Sequence, residues 1–422
     1  MNYLIKKKDK ITFVVLALLA ANGIFAQSKA LNYNQLSGQQ INSQSNVITT
    51  AVPFLMISPD SRAGGMGDAG AASSADAYSI HWNASKLAFA DKKLAVGISY
   101  VPWLRALVPD INLAYLSGYY ATKKNGTFGA SLRYFSMGDI TFTDINGNSL
   151  GQFRPNEFAL DIAYARKLSK TFSIGGAARY VNSNLTGGGL YAGAVTHPGR
   201  TVAADISATY RSRKIKLGDK DGFVGVGMNI SNIGAKISYS DNNTKNNANF
   251  IPINMRLGSS LMLNLDDYNT ITFLADANKL LVPTPPVYAR DSAGVIIPDP
   301  NGGGGKIAYG KDPTRGVASG MFGSFSDAPG GAKEELREIN YSLGMEYWYN
   351  KLFAIRGGFF YESPYKGNRQ YITLGSGVKY NVFGLDFSYL IPTKQRNPLE
   401  NTLRFSLTFD FDAFKAQNDV IE

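Results

Sequence analysis

The chain contains no cysteine and only two histidines among its 422 residues, and charged side chains make up just 18% of it. Without cysteine there is no disulfide framework, no zinc thiolate and no thiol nucleophile. His81 and His197 lie far apart in sequence and make a poor metal site. Low charge combined with 44% hydrophobic residues excludes a disordered chain. Long apolar runs are absent too: no segment after the amino-terminal stretch approaches the ~18 consecutive apolar residues of a membrane-spanning helix. Glycine is abundant at 44 residues, with tyrosine and phenylalanine at 24 each, a mix that helical bundles rarely tolerate. The chain is expected to be β-rich.

Lys6, Lys7, Lys8 and Lys10 precede the apolar run Val14 to Ala21, and Ala26 offers a small residue before Gln27. That is the layout of a secretory signal peptide, with cleavage expected after Ala26. The apolar run is too short to anchor the chain in a bilayer, which takes ~20 residues.

From Leu94 onward the hydrophobic period is two. Leu403, Phe405, Leu407, Phe409 and Phe411 alternate with Arg404, Ser406, Thr408 and Asp410, placing an apolar row on one face and a polar row on the other. Phe128 to Tyr134, Phe158 to Tyr164 and Ile339 to Tyr347 read alike. The polar rows carry Arg133, Arg179, Arg256, Arg356, Lys379 and Arg404 with Asp161, Glu346, Asp386 and Asp410. Strands are expected at 94–101, 111–121, 127–137, 156–167, 171–182, 201–212, 222–231, 254–265, 269–277, 339–349, 352–361, 370–380, 383–391 and 402–411. Most have the ~9 to 11 residues that a tilted strand needs to cross a bilayer, against ~5 to 6 in soluble proteins. Their connections alternate between tight turns and long loops, a rhythm that a membrane barrel explains and a soluble sandwich does not.

The expected fold is therefore an all-β transmembrane outer-membrane β-barrel of about 14 antiparallel strands with an N-terminal plug segment. The expected division is a signal peptide at 1–26, the plug at 27–93, the barrel at 94–411 and an extension at 412–422. A plug is expected because ~8 strands already enclose just enough room for wall side chains, so about 14 leave a lumen that needs other filling. The inward Arg and Asp/Glu rows then read as an ion-pair network holding plug to wall.

The stretch Ala51-Val-Pro-Phe-Leu-Met-Ile-Ser-Pro-Asp-Ser-Arg-Ala-Gly-Gly-Met-Gly-Asp-Ala69 and on to Ser73, followed by Asp76-Ala-Tyr-Ser-Ile-His-Trp-Asn83 and Tyr100-Val-Pro-Trp-Leu-Arg105, resembles the PorV family of the Bacteroidota type IX secretion system. The likeness extends over the chain after residue 26 and is most specific over 51–118. It implies a FadL-like barrel in the outer membrane of 14 strands with an N-terminal plug. It also implies partners: the type IX translocon barrel, the C-terminal domains of secreted cargo, and the attachment complex with its sortase. Two alternatives come with the family, a FadL-like transporter of hydrophobic small molecules and a lipopolysaccharide deacylase. The chain reads Asn83-Ala-Ser-Lys-Leu-Ala88 where FadL-type sequences read Asn-Pro-Ala-Gly-Leu-Ala, so ligand-channel detail does not transfer.

Motifs that suggest chemistry have plainer readings. Gly65-Met-Gly-Asp-Ala-Gly70 matches a dinucleotide fingerprint in spacing, but lacks the preceding strand and following helix, and is expected to be a tight plug turn with glycines at positive φ. Asn146-Gly147 within Asp144 to Asn148 signals a hairpin more than a calcium loop. No catalytic, metal or cofactor-binding residue is assigned, and the chain is read as no enzyme. The formal charge of +11 is spread without a dense basic run beyond the leader, which argues against nucleic acid and for lipopolysaccharide or acidic partners. The segment 278–338 is too long for a plain connection and reads as functional or disordered. Candidate partner contacts are Trp103, Leu104 and Arg105 with Met321, Phe322 and Phe325, since aromatic, Met and Arg side chains dominate interfaces. Trp103 alternatively belongs to an aromatic girdle at the membrane surface.

Overall fold

A computed structural model describes residues 45–105, 108, 110–122, 126–143, 146–191, 194–240, 248–300, 304–394 and 399–411. The expected signal peptide and the extension 412–422 lie outside the described residues.

The period-two segments form the wall strands β1 Leu94–Pro102, β2 Ile111–Thr122, β3 Gly126–Met137, β4 Asn156–Lys167, β5 Phe172–Asn184, β6 Gly199–Arg211, β7 Lys220–Gly234, β8 Asn254–Asn264, β9 Asn269–Leu280, β10 Ile339–Tyr349, β11 Phe353–Tyr361, β12 Gln370–Tyr380, β13 Phe383–Pro392 and β14 Leu403–Asp410. Each pairs antiparallel with its neighbours in sequence, and β14 pairs with β1 from Ala95↔Asp410 to Tyr100↔Phe405, which closes the sheet into a barrel of 14 wall strands. A short strand Ile215–Leu217 adds to the start of β7. Closure leaves the wall without an edge strand, the condition under which a sheet can satisfy its backbone groups away from water.

The apolar rows point outward: Ile162 is 71% exposed, while Asp161 beside it on the inner face is 2% exposed. Leu407 lies mid-strand on the outer face, opposite Ile98 on β1 and Leu385 on β13. Leu407→Arg should cost roughly 2–4 kcal/mol of barrel stability, measured by unfolding in detergent or lipid, because a lipid-facing cation near the midplane loses its hydration. The neighbouring inward Ser406→Ala carries a different and smaller cost of about 1–3 kcal/mol, since Ser406 Oγ accepts a 2.8 Å hydrogen bond from the Ser61 amide.

Tight connections gather at one end. Asn350 and Lys351 both take positive φ between β10 and β11, and Asn381 does so between β12 and β13, conformations that suit two- and three-residue hairpin loops. The other end carries the long loops, several of them with hairpins of their own: Ile140–Thr143 with Ser149–Phe153, Gly189–Tyr191 with Ala194–Thr196, and Val287–Tyr288 with Ile307–Tyr309. Gly147 at positive φ lies between the strands of the first, as Asn146-Gly147 predicts.

Residues 45–93 run through the lumen from the long-loop end to the short-turn end. The Ala51 amide bonds to Phe250 O, Arg133 Nη1 reaches Leu55 O at 2.7 Å, Ser117 Oγ bonds to Ala77 O at 2.6 Å and Ser173 Oγ to Ser85 O at 2.8 Å. The segment holds two one-turn helices, α1 Ser61–Gly64 and α2 Ser79–Trp82, with 3-10 turns at Pro53–Met56 and Ala84–Phe89. Asp60 caps α1 by accepting from the Ala63 amide at 2.8 Å and also takes Trp82 Nε1 at 2.6 Å, fixing α1 to α2.

Candidate functional site

The lumen is filled in three layers. Nearest the long loops is an apolar core in which Val52, Phe54, Leu55 and Ile57 pack on Val101, Leu113, Phe135, Val181, Phe250, Ile251, Ile253, Leu281 and Val282. This layer departs from the expected polar lumen: the alternation rule assigns inward positions to polar residues, yet near the loop ends the inward residues are apolar because they meet protein, not water. A second apolar cluster of Ile80, Leu87, Ala95, Tyr119 and small residues sits toward the short turns.

Between them lies the charged layer. Arg62 of α1 gives Nε and Nη2 to Glu346 at 2.9 and 2.7 Å and Nη1 to Asp76 at 2.9 Å. Glu346 also accepts from Arg356 Nε at 2.8 Å, and Arg356 Nη1 reaches Asp386 at 2.7 Å. Arg404 and Tyr371 from the wall hold the two oxygens of Asp68 at 2.9 and 2.6 Å, and Asp276 takes the amides of Gly70 and Ala71, each at 2.8 Å. Within the wall Arg179 pairs with Asp161 and Asp205. Of the inward charges expected from the sequence, Glu346, Arg404, Arg133 and Arg256 reach the enclosed segment directly and Arg356 does so through Glu346; Arg179 and Asp161 pair within the wall, and Lys379 is exposed.

Close backbone approach explains the glycines. Gly67 takes φ +67° and a Cβ there would lie 2.6 Å from Phe359 N and O; on the wall, a Cβ at Gly344 would lie 2.6 Å from Met66 O, and one at Gly358 would collide with Met66 and Gly67. The glycine run is a tight turn, as expected, but positive φ falls on Gly67 and Asp68 only; Gly65 is right-handed and small because Gly375 packs against it. Lys86, which stands where FadL-type sequences carry glycine, is buried and binds Gly70 O at 2.6 Å and Ser73 Oγ at 2.8 Å. Asn83 is buried beside it, accepting from the Ser85 amide and donating to Ala71 O and Thr209 Oγ1.

The two histidines occupy different places. His81 Nδ1 lies 2.6 Å from Arg133 Nη2; a guanidinium only donates, so this imidazole is the neutral tautomer with its proton on Nε2. His197 lies at the long-loop end, its Nδ1 3.1 Å from Pro198 O, in a cleft shared with Arg200 and Ser238. Among the described residues no three His, Asp or Glu side chains converge to hold a metal ion.

The six candidate contact residues all lie at the long-loop end but divide into anchors and exposed groups. Trp103 packs against both the apolar lumen core and a cluster of Phe360, Tyr371, Leu390 and Leu399, which turns it inward, away from a lipid-facing girdle. Leu104, at φ +52°, packs on the same Phe360 cluster, while Arg105 is exposed. In the long loop, helix α3 Val317–Gly323 packs half-buried Val317 and Met321 against the lumen core, with Gly320 against Phe250, where a Cβ would come within 2.6 Å of the ring. Phe322 points the other way and is 72% exposed; Phe325 is 41% exposed. The loop continues into helix α4 Ala332–Arg337. Segment 281–338 is therefore a folded cap over its described length, which sequence patterning missed because its helices are one to two turns long and its hairpin strands two to three residues.

A family model described as type IX secretion system protein PorV matches residues 40–287. No curated protein matches the chain. Among solved structures, the chain is similar to a deltaS2S3 mutant of the TodX monoaromatic hydrocarbon channel, with 14% identity, 83% of this chain and 99% of that one covered, and a TM-score of 0.46. A Pseudomonas aeruginosa FadL homologue gives 11% identity, coverage of 87% and 100%, and a TM-score of 0.42. The Pseudomonas putida toluene transporter TodX gives 13% identity, coverage of 87% and 98%, and a TM-score of 0.40.

Proposed function

The chain belongs to the PorV family of type IX secretion system proteins, and from that membership we propose that it is a non-enzymatic docking barrel of the outer membrane, binding the translocon barrel and the C-terminal domains of cargo and passing cargo to the attachment complex with its sortase. The observation that carries this reading is the contrast between the two ends of the lumen's filling. Inside, a hydrogen-bonded segment fills the barrel; at the long-loop end, a folded cap rests Met321 against the core and leaves Phe322 and Phe325 exposed. Large apolar side chains presented on an ordered loop are how a protein surface offers binding energy. Arg105 on the neighbouring loop adds a cation of the kind enriched at interfaces. In an outer-membrane barrel the long loops face outside and the short turns face the periplasm, so this cap meets partners at the cell surface, beside lipopolysaccharide.

The test is recovery of partners with the native protein extracted from membranes. Replacing Phe322 and Phe325 together by Ser should leave barrel assembly intact and reduce recovery of the translocon or cargo roughly tenfold or more, since each exposed anchor contributes on the order of 1 kcal/mol or above. Undiminished recovery would remove this cap from the docking surface. A preparation that carries bound lipid and no protein companions would favour a transporter of hydrophobic small molecules. A deacylase would need a base near a lipid A ester at the rim, and His197 is the histidine at the long-loop end, so His197→Ala should leave lipid A acylation unchanged, and an altered acylation pattern would support the deacylase reading instead.

A further inference from the structure

The first described residues of the lumen segment do more than fill space. Ser45 and Asn46 lie between two loops at the long-loop end: the Asn46 amide donates to Tyr365 O at 2.9 Å, and Asn46 Nδ2 reaches Pro285 O at 3.3 Å and Glu334 Oε1 at 2.9 Å. Ser45 Oγ adds a 3.4 Å contact to Tyr365 O. Glu334 belongs to α4, and all three carboxylates in and beside that helix are held. Glu334 takes Lys366 Nζ at 2.6 Å and the Gly330 amide at 2.7 Å. Glu335 takes Lys279 Nζ at 3.0 Å and the amides of Asp327 and Ala328 at 2.7 and 2.8 Å. Glu338 takes Lys279 at 2.5 Å, Lys366 at 2.9 Å and Thr284 Oγ1 at 2.7 Å. Lys279 stands at the end of β9 and Lys366 in the β11–β12 loop, so α4 is stapled at once to the wall, to that loop and to the start of the lumen segment.

We propose that residues 45–50 are a latch: entering the barrel from the long-loop end, they hold α4, and with it the cap that carries Phe322 and Phe325, against the wall, so that the seating of the lumen segment and the position of the cap are one equilibrium. Glu334 is the shared element. Of the three carboxylates it alone bonds to the segment, and its remaining ties run to Lys366 and to its own loop. Whatever displaces the cap therefore loosens Asn46, and whatever withdraws Asn46 loosens the cap, because the coupling between two sites is reciprocal. Burial alone would raise the Glu334 carboxyl, but Lys366, with the Gly330 and Asn46 amides, holds it below its usual range. A lowered folded value means that the contribution of this carboxylate is complete at neutral pH and is lost only as pH falls through that value. The latch stands without the docking reading; only its consequence for partner contact rests on it.

Asn46→Ala and Glu334→Gln, each in the full chain in membranes, test this by trypsin cleavage of the cap at exposed Lys311. Both should speed cleavage roughly tenfold, the loss of one hydrogen bond to a charged group expressed as local opening, and the double variant should add little to the faster single. Cleavage at Lys351, at the opposite end of the barrel, should stay unchanged. An unchanged rate at Lys311 in both single variants overturns the latch. Should either variant fail to assemble, Ser45→Cys gives a second measure. A bulky membrane-impermeant maleimide should attach on intact cells and speed cleavage of the cap, and absence of labelling on intact cells overturns the proposal. Partner recovery from the same samples separates the two readings, since faster cleavage with unchanged recovery supports the latch and counts against the docking surface.

Discussion

Glu346→Ala should destabilise the protein by about 3–5 kcal/mol, measured by equilibrium unfolding of the purified barrel, and should loosen the lumen segment before the wall opens. The carboxylate is 3% exposed and accepts three hydrogen bonds, two from Arg62 on the enclosed segment and one from Arg356 on the wall. Removing it leaves two buried guanidiniums facing one another. Each retains one ion pair, Arg62 with Asp76 and Arg356 with Asp386, which limits the loss but does not offset the missing charge between them. The cost of breaking a buried pair comes mostly from the uncompensated partner, so Arg62→Ala combined with Glu346→Ala should cost less than the two singles together by more than about 1 kcal/mol. A loss below about 1 kcal/mol for Glu346→Ala would mean that water reaches this layer and that the segment is not seated by it.

The second large effect concerns conduction. In planar bilayers the intact protein should be nearly silent, and a variant lacking 45–93 should conduct steadily. A 14-strand wall is too wide to be closed by its own side chains. Closure here comes from Phe54, Leu55 and Ile57 in the apolar layer and from Arg62, Asp68 and Lys86 in the charged one. The deletion should still assemble, because the inward charges Glu346, Arg356, Asp276 and Arg404 become hydrated once water fills the lumen, and the outward face is untouched. Steady conductance from the intact protein would point to an open transporter.

Much of the wall is legible in the sequence because one physical rule governs it. Lipid on one side and protein on the other impose period two over nine or more residues, so Leu403 to Phe411 declares its outward face without any knowledge of its neighbours. Arg356 and Glu346 are legible for the same reason, since each lies on the polar row of a strand whose other row is apolar and faces outward. What the rule does not reach is the inside of the enclosed segment. Asp60 joining α1 to Trp82, or Asn83 tying Ala71 to Thr209, depends on contacts distant in sequence and made through one-turn helices that leave no periodic trace. The cap is illegible in the same way: Val317 and Met321 are four residues apart on one helical face, but seven residues are too few for that spacing to stand out. The split of the contact candidates follows from this. Met321, Phe322 and Phe325 look equivalent in sequence, and only the packing of α3 against Phe250 separates the anchor from the exposed pair.

That the folded cap faces the outside of the cell, and the short turns the periplasm, is the claim on which the docking reading depends, and the absence of cysteine allows it to be measured on an otherwise native chain. Phe322→Cys in α3 and Ser169→Cys in the exposed β4–β5 turn are each treated on intact cells with a membrane-impermeant maleimide. Labelling of position 322 on intact cells, with position 169 labelled only after the outer membrane is permeabilised, is the predicted result; labelling of 169 and protection of 322 on intact cells would contradict it.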